Sequence, residues 1–149
     1  MGKRHEALHP LSHHHHHTLV MAQKLKKADE NASIQEMTRE VIEFWEKDGR
    51  DHFRDEEEVL LPLYAQYASV DQEEIRDMLI QHVQIRGLIQ HIRGTRRIER
   101  SVFNELGELL MVHVRLEERI IFPMIEKVVP EKYLYQANGK FHLDSYSGF

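Results

Sequence analysis

The 149-residue chain contains no cysteine. That excludes disulfides, zinc ribbons, Cys-ligated iron–sulfur clusters and haem attached through Cys, so any metal must be held by histidine and carboxylate. No apolar run approaches the roughly 20 residues that span a bilayer. The N-terminal Lys3, Arg4, His5 and Glu6 lack the apolar stretch of a secretion signal, so the expected location is the cytoplasm, without a membrane partner. A net charge of −5 gives no basis for expecting nucleic acid as a partner. What remains is a chain 41% apolar and 30% charged, of a length that fits one soluble domain with a proper core. Twelve histidines are many for this length.

One stretch occurs twice. Residues 52–62 read HFRDEEEVLLP and 113–123 read HVRLEERIIFP. His52/His113, Arg54/Arg115, Glu56/Glu117, Glu57/Glu118 and Pro62/Pro123 recur at identical offsets. On a helix, His and the Glu four residues later lie on one face, about 40° apart and one turn above the other. A single such pair is ordinarily a surface contact worth a few tenths of a kcal/mol. Here the apolar spacing puts both pairs on the buried stripe. Val41, Trp45, His52, Glu56, Val59, Leu60 and Leu63 follow it in the first copy, and Leu106, Leu109, Leu110, His113, Glu117, Ile120 and Met124 in the second. A carboxylate there is costly unless paired or bound to metal.

The rest of the chain reads as further helices. Five consecutive histidines, His13 to His17, suggest a purification tag at first sight, but they are embedded in a helical pattern. Ser12 is the expected N-cap of that helix, which runs to about Ala28. Projected at about 100° per residue, His15 falls nearest the middle of its apolar stripe; His14 flanks it, and His16 shares a face with Gln23 and Lys24. Ser33-Ile-Gln-Glu36 matches a capping box that opens a long second helix, reaching to about Tyr67, with Pro62 bending it or marking its last turns. Asp71 is the expected cap of a third, whose stripe Ile75, Met78, Leu79, His82, Ile85, Arg86 and Ile89 carries one inward His. A fourth runs from about Glu99 to Val129, before Pro130. The aromatic segment 131–149 shows no clear period, and Tyr133, Tyr135, Phe141, Tyr146 and Phe149 leave open whether it packs on its own bundle or on a second subunit.

The expected fold is therefore all-α: an up-down-up-down four-helix bundle over 1–130 with an irregular C-terminal tail over 131–149. His15, His52, Glu56, His82, His113 and Glu117 point into it. Six such donors exceed what one tetrahedral zinc needs and suit two ions bridged by two carboxylates. Imidazole and carboxylate accept Fe, Mn and Zn alike. The order His then Glu is opposite to the Glu-x-x-His of ferritin-like sites.

At LSHHHHHTLV, the two motif copies and His82, the chain resembles the hemerythrin family in its bacterial, HHE-type branch, over most of residues 8–130. The resemblance implies a non-haem di-iron centre that binds or reacts with dioxygen. In it His15, His52, His82 and His113 are iron ligands and Glu56 and Glu117 bridging carboxylates. Oxygen-carrying members have a second His one turn after the helix-three His; here that position is Arg86. One iron is then less saturated, or filled by water or by a carboxylate such as Glu57 or Glu118, which departs from simple oxygen carriage. Three functions compete: a protein that binds or senses dioxygen, redox state or iron; an enzyme of peroxidase or oxidase type, acting on peroxide or nitric oxide at an open iron position; and a helical assembly module holding zinc or no metal.

Overall fold

The computed structural model describes residues 3–142, and every regular element among them is helical. Helix α1 (His9–Lys26) follows a short 3₁₀ turn, Glu6–Leu8. Helix α2 is a continuous rod over 34–65, α3 is Glu73–Gly94, α4 is a second continuous rod over 100–128, and α5 is Glu131–Asn138. Residues 131–138 therefore depart from the irregular tail expected there. Leu134 and Ala137 of α5, with Phe141 beyond it, are buried against the bundle, and that apolar contact stabilises so short a helix. Tyr146 and Phe149 lie outside the described residues.

Local signals account for some ends and not others. Ser33 caps α2 as its sequence implies, its Oγ accepting from the Glu36 N–H at 3.2 Å. Ser12 caps nothing. Helix α1 begins earlier, at His9, with Pro10 in its first turn where a missing N–H costs little. Ser12 instead lies inside the helix and donates to Glu118 at 2.7 Å. At α3 the N-cap is Gln72 rather than Asp71, whose carboxylate accepts from Arg76.

Both rods contain wide, π-helical turns, at Trp45–Gly49 and Glu56–Leu60 in α2 and at Glu117–Ile121 in α4. The second and third open on the Glu of each repeated motif, and the donors closing them, Leu61 N–H to Glu56 and Phe122 N–H to Glu117, immediately precede Pro62 and Pro123. A proline has no N–H for the four-residue ladder and its ring crowds the carbonyl a turn back; widening that turn relieves both. The extra residue also rotates everything after it by about 100°. The buried stripe therefore keeps the expected Leu60 but continues through Leu61 and Tyr64 rather than Val59 and Leu63, and in α4 through Ile121, Phe122 and Ile125 rather than Ile120 and Met124. Ile120 is 42% exposed.

The core is two apolar clusters with a polar layer between them. One contains Leu11 of α1, Leu60 and Tyr64 of α2, Ile75 and Met78 of α3, and Phe122 and Ile125 of α4. The other contains Ala22 and Leu25 of α1, Val41 and Trp45 of α2, Ile85 and Ile89 of α3, and Phe103 and Leu106 of α4. Helices α1 and α3 run from the first cluster to the second, α2 and α4 from the second to the first. Full burial of each large side chain contributes roughly 1.5–3 kcal/mol. Helix α1 lies so close to α4 that a Cβ on Gly107 would meet Ala22 O at 2.7 Å and Lys26 N at 2.8 Å. The layer midway along all four helices holds His14, His15, Thr18, His52, Asp55, Glu56, His82, His113 and Glu117, all buried.

Candidate metal centre

Six members of that layer form two four-residue groups. His15, His52, Glu56 and Glu117 make one; Glu56, His82, His113 and Glu117 make the other. In each, one donor atom per residue lies within 4.8 Å of all the rest. Glu56 places Oε2 3.0 Å from His52 Nε2 and Oε1 3.1 Å from His82 Nε2. Glu117 places Oε1 2.9 Å from His15 Nε2, and Oε2 2.9 Å from His113 Nε2 and 3.3 Å from His82 Nε2. Each carboxylate thus turns one oxygen toward each pair of imidazoles. The helical hairpin α1–α2 supplies one pair and α3–α4 the other, so the doubled motif becomes a site of matching halves.

The donor chemistry fits cations. Among the described residues neither oxygen of Glu56, nor His113 Nε2, makes a hydrogen bond of good geometry, although all three are buried with charged or imidazole neighbours about 3 Å away. Oxygens carrying negative charge and lacking well-aligned N–H partners at such depth are expensive unless a positive charge sits among them. His15 Nε2 and His52 Nε2 converge to 3.1 Å.

The outer faces of the rings are held as well. His15 Nδ1 lies 2.6 Å from Glu118 Oε2, His82 Nδ1 2.5 Å from Glu57 Oε2 and His113 Nδ1 2.8 Å from Gln81 Oε1. A carboxylate or amide oxygen only accepts, so Nδ1 carries a proton, and on losing the Nε2 proton each ring would present that lone pair to a cation at the centre. Glu57 and Glu118 are therefore not placed among the converging donors, as the open position beside His82 had suggested. They sit behind the imidazoles, one residue beyond Glu56 and Glu117, and a helix turns that next side chain about 100° away. Arg86 does not enter the group either. Its guanidinium donates to both oxygens of Glu57, at 2.8 and 3.2 Å, and lies over the rings of Phe53 and Trp45. The repeated Arg54 is exposed and 3.8 Å from Glu58.

Without metal, the layer holds its charge as protons. Burial lowers the basicity of His52, but the Glu56 and Glu117 carboxylates outweigh it and raise its pKa to about 10. His15 and His82 are likewise opposed by burial yet pushed up, by Glu117 with Glu118 and by Glu117, Glu56 and Glu57. Burial works against the Glu117 carboxylate too, and the surrounding histidines, His113 foremost, hold it well below its usual range.

His14 is the buried histidine that periodicity left at the flank. It stacks on His52, ring centroids 4.7 Å apart, and stands 3.7 Å from Asp48; burial lowers its pKa to about 4. His16 is exposed. Beside His14 is a cavity of about 10 Å³, also lined by His15, Thr18, Trp45, His52, Phe53 and His113. That is about the room of one water molecule. Asp55, fully buried next to Glu56, accepts from the backbone N–H of His142 at 2.9 Å and from its ring.

The profile of the hemerythrin HHE cation binding domain matches residues 6–125. The chain belongs to that family. No curated protein and no solved structure matches it. Family membership implies cation binding, and the buried His/Glu groups are where this hemerythrin-like chain has the donors for it. No helix among the described residues is long and apolar enough to cross a membrane.

Proposed function

We propose that this hemerythrin-like protein is an up-down-up-down four-helix bundle holding two iron ions, and that it binds or senses dioxygen or a similarly small ligand. His15 and His52 serve one ion, His82 and His113 the other, and Glu56 and Glu117 bridge them. The alternating order in which α1 to α4 pass between the two apolar clusters supports the topology. The observation that carries the function is the sharing of both carboxylates between two imidazole pairs. One zinc ion would need neither the second pair nor the second bridge.

A bound pair of iron ions supplies redox chemistry and a position for a small ligand. The chain's own residues set what can reach it. Thr18, Trp45, Phe53 and the His14 ring wall a space of about 10 Å³, too small for an organic substrate. Binding and sensing are favoured over oxidation of a larger molecule on that ground. Glu118, Glu57 and Gln81 keep the rings turned inward.

Elemental analysis after anaerobic reconstitution with ferrous iron tests this reading. Two irons per chain are expected, with a visible absorption change on admitting dioxygen that reverses on its removal. Glu56→Ala and Glu117→Ala should each lower the content to one ion or none. Two irons retained in both variants would refute the bridging role. Rapid bleaching with consumption of added peroxide would move the protein to the enzymes, and one zinc with no spectral change to the assembly modules.

A further inference from the structure

His82 is held in two directions at once. Along its ring plane, Nδ1 meets Glu57 Oε2 at 2.5 Å. Across its face, Phe53 stacks at 3.9 Å between centroids with only 6° between the planes. One side chain stands behind both contacts. Arg86 donates to each oxygen of Glu57, fixing that carboxylate in rotation as well as position, and its guanidinium lies 5.4 Å over the Phe53 ring. Arginine presents its donors in a rigid fork, so two parallel bonds to one carboxylate orient it in a way that a lysine ammonium does not.

The other half of the site is built differently. There Glu118 meets His15 Nδ1, but it accepts from the Ser12 hydroxyl, and Arg4 approaches it at 3.5 Å through one nitrogen. The fork on Glu57 belongs to the His82 side.

We infer that Arg86 is a positioning residue for the His82/His113 cation: acting through Glu57 and Phe53, it fixes the His82 ring so that a cation position with two imidazoles holds its ion. Arg86 stands one turn after His82, on the flank of the inward stripe. A side chain there either adds a donor or orients the donor already present, and this one orients. The inference rests on the two-cation reading above.

Zinc is the probe, because it is diamagnetic and accepts imidazole and carboxylate. Wild-type protein, Arg86→Met, Arg86→Lys and Glu57→Gln are titrated with zinc against a competing chelator. The imidazole Nδ1–H resonances of the zinc-loaded forms are then followed with ¹⁵N-labelled histidine, and helix content is checked by circular dichroism. Wild type takes two zinc ions. Arg86→Met holds the second several-fold more weakly, less than the about 10–100-fold usual for removing the group that directly hydrogen-bonds a metal-bound histidine, which here is Glu57. Its His82 Nδ1–H signal moves upfield while that of His15 stays, which a general loosening of the fold does not produce. Arg86→Lys falls between, retaining charge without the fork. Should Arg86→Met fail to fold, Glu57→Gln carries the same test, since it keeps an acceptor oxygen and removes the charge that Arg86 grips.

Variants that bind both ions as tightly as wild type, or whose His82 and His15 signals shift together, overturn the inference alone. A wild type that takes fewer than two zinc ions overturns the two-cation reading, and the inference with it.

Discussion

His15 Nε2 and His52 Nε2 face each other across 3.1 Å, from α1 and α2, within hydrogen-bond distance. Two imidazole lone pairs repel at that distance, so a proton or a cation must stand between them. A proton serves in the metal-free protein, where both rings titrate above their ordinary range. A cation serves otherwise, and the two compete for the same nitrogens.

Loading should therefore release protons. The His52 pKa is raised to about 10, so at pH 7 the ring is charged in the metal-free protein and must lose a proton to become a ligand. Adding zinc to weakly buffered protein should acidify the solution, and apparent affinity should rise with pH between 6 and about 9. Calorimetry in buffers of different ionisation enthalpy counts the protons. Zero release would mean that the cation binds elsewhere.

The metal-free protein should also lose stability in acid. Burial opposes the Glu57 carboxylate, but His82 and Arg86 lower its pKa from 4.5 to about 2. A group depressed in the folded state contributes stability that is fully present above the unfolded pKa and disappears as pH falls through the folded one. Denaturant midpoints should decline between roughly pH 4.5 and 2, and Glu57→Gln should flatten that limb. An identical decline in the variant would show that Glu57 contributes little to it.

Two glycines should respond in opposite senses. At Gly107 a methyl group would strike the α1 backbone, which cannot give way without parting the helices, so Gly107→Ala should cost roughly 1–3 kcal/mol. At Gly87 a Cβ meets nothing within 4 Å on an exposed part of α3. Gly87→Ala should stabilise by about 0.5–1 kcal/mol through helix propensity. Thermal unfolding of the two variants measures both signs.

Helix α5 should matter to the bundle. Leu134 is 1% exposed and shares a cluster with Leu8, Tyr64 and Phe122, so Leu134→Ala should cost about 2–5 kcal/mol. A change under 0.5 kcal/mol in denaturant unfolding would show that the segment docks without contributing to the core.

The repeated His-x3-Glu was legible in the chain because helical geometry is local. A four-residue offset fixes a shared face wherever the helix goes, and apolar spacing tells which face is buried. That reasoning reached His15, His52, Glu56, His82, His113 and Glu117, and the structure brings the six together in one layer. It could not foresee that Glu56 and Glu117 open wide turns, so although it reached Leu60 it placed Leu63 and Ile120 where Tyr64 and Ile121 are buried. A proline announces that a ladder must yield somewhere, and packing on both sides decides where the extra residue goes.

Helical periodicity alone determined the four long helices, their inward faces as far as the two wide turns, and the six donors those faces carry. Tertiary structure alone decided that Glu57 and Glu118 stand behind histidines of other helices, that Arg86 grips one of them, and that residues 131–138 coil against the core. Those contacts join positions far apart in the chain. Their register is set by how four helices pack, a quantity that no local spacing contains.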